Sequence, residues 1–426
     1  MKKKNVLVFP CGSEIGLDVY DSVHYSTYFH LIGASSVSDH GQYVYPDYIA
    51  DVPFITDEQF LPAMKRIVEE RQIDAIYPAM DAVLTLIKQN EDYLQCKVIT
   101  SPLRTTEICL SKSLTYNALR GVIPVPEVFQ PTEVATFPVF LKPDVGYGAR
   151  GTKLVTSREQ LLQAVSERSD LLVLEYLPGE EYTVECFTDR NRQLIYSAAR
   201  KRNRIRSGIS VNTFFVDHQE EFCHLTQRIN AQMVFQGTWF YQVKRRTDGS
   251  LCLLEVAARL GGSSLLSRAK GVNLALMTLF DAFGYQVAVQ LNEGYSVTLD
   301  RALGNRYLCH GLSYATVYVD YDDCLMLDNT VVNTQLVQFL YQCVNQRKRI
   351  VLLSKHRGDL AAKLKAFRLD TLFDEVLHIG EQQQKADFIA TTDSIFIDDS
   401  FAERQRVKER WHIPVFSPEM VDILIM

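Results

Sequence analysis

The order of strand-like and helix-like segments constrains this chain more than any single motif. "NVLVFP", "EQFLPAMKRIVEER", "IDAIYPA" and "AVLTLIKQNEDYL" alternate short apolar runs with segments of helical periodicity. Such βαβα alternation predicts a parallel sheet, because parallel strands need a crossover connection and a helix supplies it. From about residue 130 to 300 the pattern changes. "FPVFLKP", "DLLVLEYL", "YTVECFTD", "QLIYSAARKR", "GTWFYQVKRR" and "LCLLEVAARL" come in adjacent pairs, joined by turn signals such as Arg190-Asn191 and Asp248-Gly249. Adjacent pairs predict an antiparallel sheet. After about residue 312 the βα alternation returns. The chain therefore reads as an α/β and α+β multidomain protein, with domains at 1–103, 104–311 and 312–426.

Composition narrows the function classes. The net charge is −6 over 426 residues, which argues against wholesale nucleic-acid or anionic-membrane binding. No apolar run approaches the roughly 20 residues of a membrane span. The opening "MKKKNVLVFPCGSEIG" is basic and then apolar, but the apolar piece is too short for a signal peptide and reads as a first buried strand. The nine cysteines contain no CxxC pair. Buried free thiols and a cytoplasmic location are expected.

The middle domain carries the first chemistry. "FLKPDVGYGARGTKLV" places Lys142 at the end of an apolar strand, followed by Gly146, Gly148 and Gly151. Glycines let backbone amides approach phosphate oxygens, and a lysine adds a point charge. A strand, "TKLV", follows where a dinucleotide fold needs a helix, so the segment reads as a strand–loop–strand hairpin. In "LVLEYLPGEEYTVE" a strand leads into Glu175-Tyr176-Leu177, a connector suited to adenine, and then into acidic residues suited to ribose hydroxyls. "WFYQVKRRTDGSLCLLEVAARLGG" pairs two strands across Asp248-Gly249, bringing Gln242 near Glu255, with Arg259 four residues further on. Oxygen ligands and an arginine converging on polyphosphate suit magnesium-nucleotide chemistry.

With these motifs in this order, residues 1–300 resemble the ATP-grasp superfamily, in its carbamoyl-phosphate-synthase-like or carboxylate–amine ligase group. The resemblance implies a pre-ATP-grasp βα domain followed by a two-lobed α+β clamp. It implies that Lys112 and Lys142 bind phosphate, that Gly146, Gly148 and Gly151 form a lid, and that Glu175 and Leu177 form the adenine hinge. Glu180 or Glu181 then lies near the ribose. Gln242 and Glu255 become magnesium ligands, and Arg259 steadies the transferred phosphate. One position departs: the family often reads Glu-x-Asn-Pro-Arg where this chain has Glu255-Val256-Ala257-Ala258-Arg259, and Ala257 cannot ligate a metal. The basic run "ARKRNRIRSGISVN" reads either as a solvated hairpin or as a loop that brings Arg202, Arg204 or Arg206 to phosphate, with Arg204 the expected phosphate ligand. Ser210 is a weaker candidate. In the first domain Ser13, Glu14 and Asp81 read equally as cleft residues or helix caps.

The C-terminal domain carries the second. "TVYVDYDDCLML" ends a strand at Asp320, with Asp322 two residues on and able to face the same crevice. One carboxylate suits a nucleophile, the second a general acid/base, and both suit magnesium. "RIVLLSKH" ends in Ser354, Lys385 follows, and "DSIFIDDS" ends in Asp398 and Asp399. Any one of these is an ordinary helix cap; the ordered set resembles the haloacid-dehalogenase-like phosphatases. That resemblance implies a Rossmann-like domain, with Asp320 as nucleophile and Asp322 as acid/base. Ser354 and Lys385 would hold phosphate, and Asp398 or Asp399 magnesium, with Lys355 a competing cation. Cys324 stands where the family usually has Thr or Val. The intervals from Asp320 to Ser354 and from Ser354 to Lys385 leave no room for a large cap.

Together these features predict a bifunctional enzyme using ATP and Mg2+. A ligase joins a small-molecule carboxylate to an amine through an acyl phosphate, and a fused phosphatase acts on a related metabolite. A homo-oligomer is left open. The alternatives are a phosphatase with an ATP-binding sensor domain, or a ligase with a non-catalytic C-terminal domain.

Overall fold

The computed structural model describes residues 2–425 apart from Tyr147, Ala149, Leu303, Asn305 and Leu308. The chain divides into two compact units, Met1–Gly304 and Asn305–Met426. The expected division at 103/104 falls inside the larger unit.

The larger unit begins with a five-stranded parallel sheet in the order Tyr48–Ile49, Phe29–Ala34, Lys4–Phe9, Ala75–Pro78, Lys97–Val98. Its central strands are buried on both faces, as a parallel sheet covered by helices requires. A four-stranded antiparallel sheet follows, ordered Val128–Phe129, Leu171–Glu175, Val139–Pro143, Lys153–Val155. The glycine segment is thus the turn of an antiparallel hairpin, as its flanking strands predict. A six-stranded antiparallel sheet runs Leu251–Ala257, Gly237–Arg245, Glu181–Thr188, Leu194–Arg206, Ile209–Phe215, Thr298–Asp300. One face of the opening parallel sheet has a core of its own, with Leu7, Phe60, Ile76 and Val98 among its members, while the other face is shared. Val6, Val8, Ala75 and Tyr77 share one apolar cluster with Phe187, Tyr196, Leu274 and Leu279.

The smaller unit is built on a five-stranded parallel sheet ordered Glu375–His378, Arg349–Ser354, Thr316–Val319, Ser394–Ile397, Val415–Phe416. Thr316–Val319 is central and wholly buried. Val319 pairs with both Leu352 and Ile397, so the C-terminal tips of three strands end level. Between Asp320 and Ser354 lie only a short hairpin, Met326–Leu327 with Val331–Val332, and the helix Thr334–Asn345. Between Ser354 and Lys385 lie the helix Leu360–Ala366 and one strand. Neither interval holds a further domain. All nine cysteines are free, and no helix among the described residues is long and apolar enough to cross a membrane.

Candidate functional site

The first site is a cavity of about 250 Å³ between the two antiparallel sheets. The four-stranded sheet contributes Phe140, Lys142 and Leu174, and the connector Glu175-Tyr176-Leu177 closes one side. The six-stranded sheet contributes Glu181, Arg202, Gln242, Lys244, Leu254 and Glu255. Gln242 and Glu255 are direct cross-strand partners: the Asp248-Gly249 turn pairs Lys244 with Cys252 and Val243 with Leu253, and a register irregularity at the next step brings Glu255 opposite Gln242. Lys142 Nζ donates to the Leu254 carbonyl at 3.2 Å and lies 3.9 Å from the Glu255 carboxylate. Burial brings the Lys142 ammonium down to about 8, with Glu255 holding it up. An anion arriving beside Lys142 relieves that cost.

Several expected ligands are spoken for. Lys112 does not line the cavity; its Nζ donates to the carbonyls of Asp144 (3.1 Å) and Gly146 (3.2 Å) and so braces the base of the glycine loop. Of the expected lid glycines, Gly148 lines the cavity, with φ +62°, while Gly146 and Gly151 do not. Gly151 has φ +72°, and a Cβ there would sit 2.2 Å from Arg168 Nη1. Tyr147 and Ala149 of the same loop lie outside the described residues. The Glu175 carboxylate is tied back by Arg246, whose Nε stands 3.1 and 3.2 Å from its two oxygens. Leu177 lines the cavity as expected of a hinge residue. Glu181 lines it too, but its carboxylate is paired with Arg202. Glu180 pairs instead with Lys201.

Arg204 is misplaced by the sequence reading. Its guanidinium is 60% exposed and pairs with Asp300. Arg202 is the arginine of the cavity, donating to Gln242 Oε1 and to the Gly208 carbonyl, each at 2.6 Å. Register irregularities on both sides of Arg204 break the alternation that would keep the two arginines on one face. Arg259 is also corrected. Its fork is occupied by Asp81 (Nε 2.8 Å, Nη2 2.7 Å), and it does not line the cavity. Asp81 opens the helix Asp81–Gln89, so this pair joins the parallel sheet's helical layer to the end of Leu251–Ala257. Ser13 caps its helix, accepting from Gly16 N at 3.0 Å, and Glu14 meets Arg301 at 3.3 Å. Ser210 is buried outside the cavity lining, and its hydroxyl has no partner among the described residues. Lys244 was missed, although it stands two residues from Gln242 on one strand and period-two alternation puts both on one face.

The second site lies at the level strand tips of the smaller unit. Asp320 N donates to the Ile397 carbonyl at 2.9 Å, which sets Asp320 beside Asp398. Lys385, at the start of the turn Lys385–Phe388, places Nζ 2.6 Å from Asp320 Oδ1 and 2.6 Å from Asp398 Oδ2. Oxygens of Asp320, Asp398 and Asp399 lie within 4.8 Å of one another. Burial pushes the Asp320 carboxyl up to about 7, with Lys385 pulling it down and Asp398 adding to the rise. Burial also raises Asp398, against Lys385. Burial works to lower Lys385, but Asp320 and Asp398 outweigh it and hold the ammonium above its ordinary value. The competing Lys355 is bound to Glu403 at 2.7 Å. Cys324 is buried, its Sγ 3.8 Å from the Ile397 carbonyl.

This cluster fits a divalent cation. Asp320 Oδ1 is buried, and Lys385 Nζ at 2.6 Å is the cation that answers it. Three hard carboxylates close together suit Mg2+. Asp322 is not a member of the cluster. Its carboxylate is instead held by His356 Nδ1 at 2.8 Å. Ser354 is wholly buried, and its Oγ accepts from His356 N at 3.1 Å. His356 was missed by the sequence reading, although it follows Ser354 by two residues, as Asp322 follows Asp320.

Residues 167–300 match the family model described as "ATP-grasp in the biosynthetic pathway with Ter operon". That stretch carries Glu175, Glu181, Arg202, Gln242, Glu255 and Arg259, but not Lys142 or the glycine loop. No curated protein matches the sequence. Among solved structures, a biotin carboxylase from Campylobacter jejuni in complex with an ATP analogue is similar at TM-score 0.57 and 17% identity, over 68% of this chain and 73% of that one. N5-carboxyaminoimidazole synthetase from Staphylococcus aureus complexed with ADP is similar at TM-score 0.58 and 15% identity, over 68% and 80%. L-amino acid ligase from Bacillus licheniformis follows at TM-score 0.55 and 16% identity, over 66% and 74%. These likenesses define a fold: about two thirds of the chain, 66–68% in these alignments, shares the fold of these three enzymes.

Proposed function

We propose that the larger unit is an ATP-dependent carboxylate–amine ligase and that the smaller is a phosphatase acting on a related metabolite. The observation that carries the first half is the cavity lining. Leu177, Leu174 and Phe140 offer an apolar berth for a base beside exposed backbone, and Lys142, Arg202, Gln242 and Glu255 gather at the polyphosphate end. ADP in the Staphylococcus aureus relative and an ATP analogue in the Campylobacter jejuni relative agree with this choice of ligand. Gln242 and Glu255 are the oxygen donors that would hold Mg2+, which supplies charge neutralisation to the phosphates. The carboxylate substrate takes the γ-phosphoryl group as an acyl phosphate, and ADP leaves. The amine then attacks the acyl carbon, loses a proton, and expels orthophosphate. Lys142 and Arg202 stabilise the charge on the transferring group.

The second half rests on Lys385 bridging Asp320 and Asp398. That arrangement supports the haloacid-dehalogenase-like reading. An Asp320 oxygen attacks phosphorus while the ester P–O bond breaks and the departing oxygen takes a proton from Asp322. Water then attacks the aspartyl phosphate, gives a proton back to Asp322, and releases orthophosphate. Asp320, Asp398 and Asp399 would hold Mg2+, which offsets the charge gathered there. Lys385 and Ser354 orient the phosphate.

The test uses D320N protein with MgATP and pooled carboxylates and amines, following ADP release. The substitution silences the phosphatase, so its phosphate cannot confuse the readout. ADP that appears only with one acid–amine pair is the expected result and names the substrates. Tight ATP binding without turnover in any pool would overturn the ligase and leave a nucleotide sensor.

A further inference from the structure

We propose that His356 is a positioning residue for the phosphatase: its ring N–H holds the Asp322 carboxylate in the orientation from which it donates to the leaving group. This rests on the phosphatase reading above and adds to it a residue that neither family resemblance supplied.

Three contacts immobilise His356. Its backbone N donates to Ser354 Oγ at 3.1 Å, and its carbonyl accepts from His378 Nε2 at 2.7 Å. Its ring meets Tyr321 edge-on, with centroids 5.0 Å apart at 73°. The side chain is 7% exposed, so it cannot swing away. Held this way, Nδ1 meets Asp322 Oδ1 at 2.8 Å. With the transferable proton on Oδ2, Oδ1 accepts, so the imidazole Nδ1–H donates. Asp322 itself is 35% exposed on its side chain. A carboxylate that open has water available and several rotamers to visit; the buried N–H selects one of them. Its second oxygen takes no hydrogen bond among the described residues, which leaves Oδ2 to carry the transferable proton. The same residue is anchored on Ser354, the proposed phosphate ligand. His356 therefore couples the group that orients the phosphoryl to the group that protonates what departs.

A fault in proton donation is felt most by a poor leaving group, whereas a general loosening of the fold is felt alike by all substrates. The experiment compares H356A, H356N and H356Q with wild type on p-nitrophenyl phosphate and phenyl phosphate, with Mg2+ present. H356A is expected to lose about tenfold in kcat on p-nitrophenyl phosphate and about a hundredfold on phenyl phosphate, with KM within about twofold. H356N keeps a donor near the Nδ1 position and is expected to recover most of the loss; H356Q carries its donor further out and is not. The contrast between H356N and H356Q stands even if H356A fails to fold. Equal losses on both substrates, a loss confined to KM, or H356Q recovering as well as H356N would overturn the positioning role. If wild type hydrolyses neither substrate, or D320N hydrolyses them as well as wild type, the phosphatase reading falls and this inference with it.

Discussion

The two sites handle charge in opposite ways. In the cleft nearly every charged group is answered by another side chain, within a sheet or across the two: Glu181 by Arg202, Glu175 by Arg246, Lys142 by Glu255. At the strand tips of the smaller unit, three carboxylates crowd within 4.8 Å around a single ammonium. The cleft is near balance by itself, and a nucleotide binding there exchanges partners. The acidic site is unbalanced and calls for a cation. Binding at the first should therefore depend on which pairs can open, and function at the second on whether the excess negative charge is met.

The sharpest separation of the two sites comes from Asp320→Asn. It is expected to cut p-nitrophenyl phosphate hydrolysis by at least about a thousandfold while leaving ATP affinity unchanged by calorimetry. Weaker ATP binding in that variant would show that the sites are not independent in this respect. The reciprocal change, Lys142→Ala, should weaken ATP binding by about 10- to 100-fold, as loss of a charge-assisted contact does, and spare the hydrolysis. Unchanged ATP affinity would remove Lys142 from the phosphate end. A finer cut lies inside the cleft. Arg202→Ala should cost about tenfold in ATP affinity, and Arg204→Ala less than about twofold, because an exposed pair contributes little. The reverse ranking would restore the alternation expected from sequence.

The smallest effect concerns a buried charge outside both sites. Burial lifts the Asp18 carboxyl from 3.8 to about 8, with Arg301 pulling it back and Asp21 adding to it. The folded chain keeps this proton where the unfolded chain loses it. Stability contributed by Asp18 thus falls as pH rises from about 4 to about 8 and is level beyond. Asp18→Asn removes the titration. Its melting temperature should exceed that of wild type by roughly 3 °C or more at pH 8, with the gap closing towards pH 4. Parallel curves in calorimetry across that range would exclude a buried proton.

Much of both sites was legible because strand geometry is local. A tight turn brings the strands of Gln242 and Glu255 together, though a register irregularity makes the two direct partners, and Asp320, Ser354 and Asp398 sit at the ends of apolar runs that a parallel sheet aligns. What failed was partner choice. Arg259 looked like a phosphate ligand until the fold supplied Asp81 from 178 positions away. Lys112 lay in the right region, yet both its bonds go to carbonyls of the next loop. Arg204 was lost to a register irregularity that no residue type announces. Asp322 was read as a metal ligand from its spacing, while its side chain answers to His356. Long flexible side chains find partners by tertiary proximity, and a single sequence records that only where the backbone is regular.

The apolar cluster shared by Val6, Val8 and Tyr77 with Phe187, Leu274 and Leu279 bears on how such a chain is inherited. A recombination crossover at 103/104 would cut through side chains that pack on one another and leave both halves with an unmatched apolar face. The first hundred residues keep one core of their own, but their second face is matched to this chain alone. A descendant that acquired a different opening βα segment would need compensating changes near residues 187 and 274–279, and lineages of this chain should drift at those positions together.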